Sequence, residues 1–274
     1  MIDSDFVARM ADKCLLTDAD LDAALRDTTP KRIQTVNLHH LALAARDEAF
    51  AQTIESADYI TADGWPIVSL MRAQGVEPER VTGSELIERM VNEGEFAGLR
   101  VGILGADEAP ADEFHTMLDE QGVVVVFREH GNKADWDPAE IAEILEDLAV
   151  DLLLVAVTPP FGDAIAESVR AAGFRGTTLN IGGSIQMIAG STTMAPDWAR
   201  RSKVEWLYRF VQEPKRLFRR YFVECLPVFA RHVLPTYWRQ PAPALASLVG
   251  TPVPATSPAL APAQPAAAAA SQAA

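Results

Sequence analysis

The chain has 274 residues, of which 49% are hydrophobic and 23% are charged, so it can bury a substantial core. Its net charge of −14 argues against a general nucleic-acid-binding protein, because an acidic surface repels the phosphate backbone. No run of 18 apolar residues occurs, and the N-terminus lacks a basic region followed by an apolar one, so we expect a cytoplasmic protein that does not span a membrane.

Residues 1–30 are predicted to form an N-terminal helical segment ahead of the first strand. This segment contains Asp18-Ala19-Asp20, but its place in a helix before the sheet argues against a role in chelating a metal-nucleotide. Cys14 in this segment and the distant Cys225 lie among apolar residues. Their surroundings favour two reduced thiols in the core over a disulfide.

Residues 31–199 alternate short apolar runs with helical stretches, which is typical of β-α-β units. The predicted strands are 33–36, 59–61, 100–104, 123–127, 151–157 and 177–181, and the predicted helices include 38–55, 108–121 and 138–148. This pattern predicts an α/β fold with a Rossmann-like, mostly parallel sheet and flanking helices. Such folds bind ligands beyond the carboxyl ends of their strands, so we expect the functional site there.

Polar side chains occur where the first two predicted strands end. Asp63 precedes Gly64 at such an end, where it can deprotonate a sugar hydroxyl, although an aspartate that only supports a turn is commoner. Thr35 and Asn37 alternate along the first strand and can hydrogen-bond a polyol, while Asn37 can alternatively cap the next helix. Arg80 can hold an anion or form an exposed ion pair.

Two glycine turns also follow predicted strands, around Gly105 and at Gly182-Gly183. Glycine lets backbone amides approach a phosphate, but similar glycines often serve chain reversal alone. The segment from Gly102 to Ala106 lacks the full dinucleotide-binding spacing, and no ribose-binding acid is evident. An NAD-linked enzyme therefore ranks last among the functions that we consider.

The histidines do not have the spacing of a metal site. His39 and His40 are adjacent rather than four residues apart on a helix, and no cysteine-rich cluster accompanies them. We predict no structural zinc.

Residues 200–240 carry ten lysine or arginine residues against three glutamates, so this segment is basic in an otherwise acidic chain. Helical winding can separate its aromatic and basic residues, which favours contact with an anionic membrane surface. Helices that pack their aromatic face into the core explain the pattern equally well. Pro214 and Pro227 are expected helix boundaries. Residues 241–274 are dominated by Pro, Ala, Ser and Thr and are predicted to form a disordered tail.

Several short motifs occur in a fixed order over residues 30–222. They are Thr35-Val36-Asn37, Ala62-Asp63-Gly64, Glu79-Arg80-Val81-Thr82-Gly83, Ile181-Gly182-Gly183, Ala195-Pro196-Asp197-Trp198, Glu205-Trp206-Leu207-Tyr208-Arg209, Glu213-Pro214 and Arg219-Arg220-Tyr221. Together they resemble the WecG/TagA/CpsF glycosyltransferase family. The resemblance implies transfer of a sugar from a nucleotide donor, usually a UDP-sugar, to a sugar carried by a polyprenyl diphosphate lipid. It further implies inversion at the anomeric carbon, no metal cofactor, and work at the inner face of the cell membrane in bacterial surface-polysaccharide synthesis.

The resemblance also assigns roles by position. It makes Asp63 the general base and makes Thr35, Asn37 and Arg80 residues of the substrate pocket. Gly182 and Gly183 belong to one of the matching motifs, whereas Gly105 is a candidate binding residue only from its place after a predicted strand. The closing arginines match a C-terminal segment that covers the site and meets the lipid diphosphate; these are Arg209, Arg216 and Arg220. A guanidinium suits that task because it gives bidentate, charge-assisted hydrogen bonds to phosphate oxygens.

Two segments depart from the family pattern. Where the family usually has Gly-x-Pro-x-Gln-Glu, this chain has residues 158–163 as Thr-Pro-Pro-Phe-Gly-Asp, and Ile185-Gln186 replaces a Phe-Asp pair. The changes leave two alternatives: a transferase with a different donor sugar, or a catalytically impaired member that binds a nucleotide-sugar or lipid as an assembly or regulatory protein. The family is also compatible with a homo-oligomer, although the sequence offers no self-complementary surface.

Overall fold

The computed structural model describes residues 2–94, 96–131, 133–190 and 205–239. These residues lie in one compact unit, Met1–Gln240. The predicted tail at 241–274 and the motif from Ala195 to Trp198 lie outside the described residues.

A six-stranded sheet forms the centre of this unit, with the strand order β2-β1-β6-β5-β3-β4 and all neighbouring pairs parallel. Its strands are β1 (Lys31–Val36), β2 (Tyr59–Ala62), β3 (Arg100–Gly105), β4 (Val124–Glu129), β5 (Leu152–Ala156) and β6 (Thr177–Asn180). The predicted α/β, Rossmann-like sheet is confirmed, because fully apolar strands such as β5 are covered by helices on both faces.

Helices cover both faces of the sheet. Those before residue 190 are α1 (Ser4–Ala11), α2 (Asp18–Arg26), α3 (Leu38–Ala44), α4 (Glu48–Glu55), α5 (Trp65–Ala73), α6 (Gly83–Asn92), α7 (Glu108–Glu120), α8 (Pro138–Asp147), α9 (Phe161–Ala171) and α10 (Ser184–Ile188), with a 3₁₀ turn at Lys133–Asp135. One face of the sheet packs against α1, α3, α4, α5, α8 and α9, and the other against α2, α6, α7 and α10. The core therefore forms two apolar layers around the sheet.

The prediction of one helix over residues 38–55 is wrong. The helix stops at Ala44, and a second begins at Glu48. Asp47 causes the new start, because its carboxylate accepts the backbone N–H groups of Ala49 (3.0 Å) and Phe50 (3.2 Å), as an N-cap residue does.

The C-terminal segment is helical in its described part except at Glu213, which separates two helices. It consists of α11 (Glu205–Gln212), α12 (Pro214–Phe218), a π-helix (Arg219–Cys225), α13 (Leu226–Val228), a second π-helix (Phe229–Val233) and α14 (Leu234–Arg239). Pro214 begins a helix, as predicted. Pro227 is in the first turn of α13, so the boundary expected there is the change from the first π-helix to an α-helical turn, and the chain stays helical across it. Wide π-helical turns on either side of Pro227 accommodate its ring and its missing N–H.

Both cysteines are free thiols, with Cys225 buried in the core cluster and Cys14 packed against it, as predicted. In the part of the chain that the structure describes, no helix is long and apolar enough to cross a bilayer.

Candidate active site

Asp63 lies directly after β2, at the carboxyl edge of the sheet. Its backbone N–H donates to the carbonyl oxygens of Val36 (2.9 Å) and Thr61 (3.2 Å), so the ends of β1 and β2 fix its position. Gly64 follows with a φ of +107°, which glycine adopts without strain, and serves as the N-cap residue of α5. A sharp strand-to-helix turn therefore presents the Asp63 carboxylate at the edge where parallel sheets bind ligands.

Asn37 begins α3 at the end of the neighbouring strand. Its side-chain oxygen accepts the backbone N–H of His39 (3.0 Å), while its Nδ2 donates to Asp63 Oδ2 (3.3 Å). The two functions considered for Asn37, helix cap and site residue, are thus compatible in one side chain.

A cavity of about 340 Å³ opens beside Asp63, and we name it the Asp63 cavity. The α/β body supplies one wall, through Asn37, His39, Asp63, Gly64, Trp65 and Arg80. The C-terminal segment supplies the opposite wall, through Glu205, Trp206, Arg209, Arg220, Tyr221, Phe222, Cys225, Leu226 and Phe229. Apolar surface with a few convergent charged groups is typical of a small-molecule site.

Arg80 reaches this cavity because the loop before α6 runs along the end of β2, where the Val81 N–H donates to the Ala62 carbonyl (3.3 Å). Its guanidinium pairs with Glu85 and lies 3.4 Å from Glu205 Oε2. Arg80 therefore forms ion pairs, but it is half-buried at the cavity rather than exposed on the surface.

The groups around Asp63 shift its pKa in opposite directions. Burial raises the pKa of Asp63 above the ordinary value of an aspartate, and Glu205 adds to the rise. Arg209, the hydrogen bond from Asn37 and Arg80 lower its pKa. A carboxylate with a raised pKa is a stronger base than a solvated aspartate, as proton abstraction requires.

Arg220 lies on the opposite wall, in the first π-helix. Burial lowers the pKa of its guanidinium, and its Nε is buried without a hydrogen-bond partner among the described residues. A buried guanidinium with unused donor capacity is suited to an anionic group that enters the cavity.

His39 connects the two walls, because its Nε2 lies 3.1 Å from Glu224 Oε2 in the C-terminal segment. Burial lowers the pKa of His39 to about 4, with Arg220 lowering it further and Glu224 opposing the effect. Near neutral pH the ring is therefore uncharged, and it holds the segment against α3 by a hydrogen bond.

A second cavity, also of about 340 Å³, lies further along the same edge of the sheet. We name it the Gly105 cavity; its lining includes Gly105, Ala106, His130, Lys133, Trp136, Thr158, Gly183 and Gln186. Gly105 has a φ of +96°, and a Cβ atom there would lie 2.4 Å from Val157 Cγ2. Close packing against the end of β5 thus requires glycine at this position, whatever the cavity binds.

The remaining predicted site residues lie elsewhere. Thr35 is buried within the sheet, and its hydroxyl donates to the Asn180 carbonyl (2.8 Å), so it is outside the lining of both cavities. Gly182 is in the β6–α10 turn and also outside both linings. Arg216 is exposed and pairs with Glu213 in the same segment (Nε to Oε1, 2.9 Å).

Several lining residues were not predicted. Trp136 and His130 belong to loops near β4, and Glu205 and Tyr221 belong to the C-terminal segment. The only sequence signal for the last two was their place in the Glu-Trp-Leu-Tyr-Arg and Arg-Arg-Tyr motifs. For Trp136 no local signal exists, because its place depends on packing against Phe161 and the neighbouring core cluster.

Residues 15–243 match the model of the Glycosyl transferase WecG/TagA/CpsF family, which is most of the sequence. The chain belongs to this family. It is therefore a glycosyltransferase.

Two relatives of this glycosyltransferase come from Staphylococcus aureus, and both are named N-acetylglucosaminyldiphosphoundecaprenol N-acetyl-beta-D-mannosaminyltransferase. The protein from strain MRSA252 is 24% identical over 198 residues, which are 72% of this chain and 77% of the relative. The protein from strain MW2 is 23% identical over the same shares of both chains.

The two departures from the family pattern meet at the Gly105 cavity. Gln186 and Thr158 line it, and the ring of Phe161 lies 6.1 Å from that of Trp136. The Gln186 Oε1 and Trp136 Nε1 atoms are buried without hydrogen-bond partners among the described residues. The changes at Thr158 and Gln186 therefore alter the lining of the Gly105 cavity, while Asp163, the last residue of the first segment, is buried beside His40 instead.

No group of three or more His, Cys, Asp or Glu side chains within the described ranges is arranged to hold a metal ion. Asp18 and Asp22 instead pair with Arg89 on α6. Metal independence of the reaction stays a prediction.

Proposed function

We propose that the chain transfers a sugar from a UDP-sugar in the Gly105 cavity to a polyprenyl-diphosphate-linked sugar in the Asp63 cavity, with inversion. The observation that carries this proposal is the half-buried Asp63 carboxylate, which Asn37 holds in a cavity that also contains Arg80, Arg209 and Arg220. A base and a cluster of cations at one cavity suit a reaction between a hydroxyl and a diphosphate ester.

The proposed step is a single displacement. Asp63 takes the proton from a hydroxyl of the acceptor sugar, and that oxygen attacks the anomeric carbon of the donor sugar. The bond from the anomeric carbon to the donor diphosphate breaks, and UDP leaves with the electron pair. Because the attacking oxygen enters opposite the leaving group, the configuration at the anomeric carbon inverts.

The acceptor is assigned to the Asp63 cavity by charge and apolar surface together. Arg209 and Arg220 can bind the lipid diphosphate through charge-assisted hydrogen bonds, and the aromatic wall of Trp206 and Tyr221 can contact a sugar ring. The names of the S. aureus relatives specify an acceptor of this class, a sugar on undecaprenyl diphosphate.

The donor is assigned to the Gly105 cavity. Its glycine turn brings backbone amides close to bound phosphate, Lys133 adds a cation, and the Trp136 ring can stack on a uracil base. In the strand order, β1 and β3 are separated by β6 and β5, so the strand ends that carry Asn37 and Gly105 are about 14 Å apart along the sheet edge. An extended nucleotide-sugar can reach from one to the other.

Membrane contact is assigned to the C-terminal segment. Several of its large apolar side chains are exposed, including Val211, Val223 and Phe218, and Lys215, Arg216 and Arg219 of the same segment are exposed as well. Exposed apolar and basic groups in one helical segment favour an interface with anionic lipids. We propose a peripheral location at the inner face of the cell membrane, and assign Arg216 to this surface rather than to the Asp63 cavity.

The test is product formation from a panel of UDP-sugars and a polyprenyl-diphosphate N-acetylglucosamine, with the anomeric configuration read by NMR. Formation of a lipid-linked disaccharide with an inverted linkage supports the proposal, and retention of configuration would contradict the single displacement.

A second candidate is favoured by the altered Gly105 cavity, namely a family member that binds a nucleotide-sugar or lipid without turnover and acts in assembly. Calorimetry distinguishes the two, because this candidate requires tight binding of a UDP-sugar with no product across all acceptors.

A further inference from the structure

A buried polar network lies behind the Asp63 cavity, between β1 and the helices α3 and α9. Its members are Arg32, Gln34, His40 and Asp163, and none is more than 3% exposed. Neither cavity lining includes His40 or Asp163, although Asp163 ends the segment 158–163 that departs from the family pattern. Burying polar groups this deeply costs free energy unless they are hydrogen-bonded or paired with an opposite charge, so the contacts within this network require an explanation.

His40 contacts the site through one ring nitrogen. Its Nδ1 accepts the backbone N–H of Asn37 (3.2 Å), while the Asn37 side chain caps the same helix, which completes a capping box around the start of α3. The hydrogen bond to His40 therefore orients the residue that donates to Asp63.

The other ring nitrogen of His40 faces two groups with opposite demands. Its Nε2 is 3.2 Å from Gln34 Nε2, within hydrogen-bond geometry, and 3.3 Å from Asp163 Oδ1, a buried oxygen that has no hydrogen-bond partner among the described residues. The Gln34 amide is oriented by Arg32, whose Nη1 donates to Gln34 Oε1 (3.1 Å). Gln34 therefore presents an N–H donor to His40, which favours an Nε2 without a proton. The Asp163 carboxylate instead favours an Nε2 that carries a proton.

A neutral imidazole carries one ring proton, so only one of these demands can be met. With the proton on Nε2, the ring attracts Asp163 and leaves Nδ1 free to accept from Asn37. With the proton on Nδ1, Nε2 can accept a hydrogen bond from the Gln34 amide. The Nδ1–H then faces the backbone N–H of Asn37, so two donors oppose each other there.

We infer that Asp163 fixes His40 in the Nε2–H tautomer, and that this pair is a positioning device for Asn37 and, through it, for Asp63. The inference rests on the proposed role of Asp63 as the base. His40 and Asp163 line neither cavity, and in this inference they act only through the start of α3.

The first test reads the tautomer by ¹⁵N NMR of the histidine rings in the full chain, which needs no turnover. The wild-type His40 ring is expected to carry its proton on Nε2, and Asp163→Asn to move it to Nδ1. The control is Glu167→Gln, which changes a carboxylate that pairs with Arg32 (2.9 Å) and should leave the tautomer unchanged. A wild-type ring protonated on Nδ1 would overturn the inference without any variant.

The second test is kinetic. Asp163→Asn is expected to lower kcat on the order of 10-fold with little change in the acceptor KM, because the base is misplaced while the substrate sites persist. In a His40→Gln background, the Gln side-chain oxygen can accept the backbone N–H of Asn37, as in an ordinary capping box. Adding Asp163→Asn to this background should therefore lower kcat by less than 2-fold. An equal loss in both backgrounds would mean that Asp163 acts by some other route. If Asp63→Asn keeps full activity, the proposed function fails, while the tautomer result stands or falls by itself.

Discussion

Asn37 Nδ2 donates to Asp63 Oδ2 over 3.3 Å and joins the ends of two neighbouring strands at the edge of the sheet. The same Asn37 caps α3, so the carboxylate proposed as the base is held by a strand, a helix start and a turn together. Such pre-organisation fixes the geometry of a base before substrate arrives.

The hydrogen bond from Asn37 favours the charged form of Asp63, so its loss should raise the pKa of this carboxyl further. The base must be ionised, and the activity is therefore lost as the pH falls through that pKa. We expect Asn37→Ser, which can still cap α3, to move the acidic limb of the kcat profile to higher pH and to lower kcat by about 10-fold. An unchanged limb would show that Asn37 serves only as a cap.

Burial of Asp63 also affects stability. A carboxyl whose pKa is raised by folding stabilises the protein at pH values below its unfolded pKa, and this contribution is lost as the pH rises through the folded pKa. Asp63→Asn removes this buried charge and should therefore increase the free energy of unfolding at neutral pH by about 0.5–2 kcal/mol. Gains of this size are common when a destabilising active-site group is replaced. Urea unfolding at neutral and acidic pH checks this, and a gain of equal size at both would contradict it.

Arg220 should contribute to acceptor binding, because its buried Nε has no partner among the described residues. Loss of one charge-assisted hydrogen bond predicts an increase of about 10- to 100-fold in the acceptor KM for Arg220→Ala. The control is Arg231→Ala, which removes an exposed arginine of the same segment. Steady-state kinetics with a short-chain, water-soluble acceptor separates this effect from membrane binding, and equal KM values for the two variants would refute the assignment.

The exposed apolar side chains of the C-terminal segment should bind the bilayer. Val211, Phe218 and Val223 are 71%, 55% and 58% exposed, and replacing all three by serine should weaken co-sedimentation with anionic vesicles about 10-fold or more. The control replaces Val124 and Ile144 of the α/β body by serine; these side chains are 44% and 37% exposed. A similar loss in the control, or none in the triple variant, would argue against a specific membrane surface.

The strands and helices of the sheet layer could be predicted from the sequence because the spacing of apolar residues differs between strands and helices. Asp63 could be placed at a strand end for the same reason, since the Asp-Gly turn directly follows a β-rich run. Local sequence also indicated the helix cap at Asn37.

Contacts between distant segments could not be predicted in this way. The pairing of Asn37 with Asp63 depends on β1 lying beside β2, and the contact of His40 with Asp163 depends on α9 covering the same face as α3. The break at Asp47 was missed because apolar periodicity continues across a cap.

The measurement that tests the central claim most directly is UDP release on adding polyprenyl-diphosphate N-acetylglucosamine to the protein and its UDP-sugar, in wild type and in Asp63→Asn. The account predicts acceptor-dependent release in wild type and a fall of about 100-fold or more in the variant, with donor binding by calorimetry unchanged. Release by Asp63→Asn at the wild-type rate would contradict the assignment of Asp63 as the base.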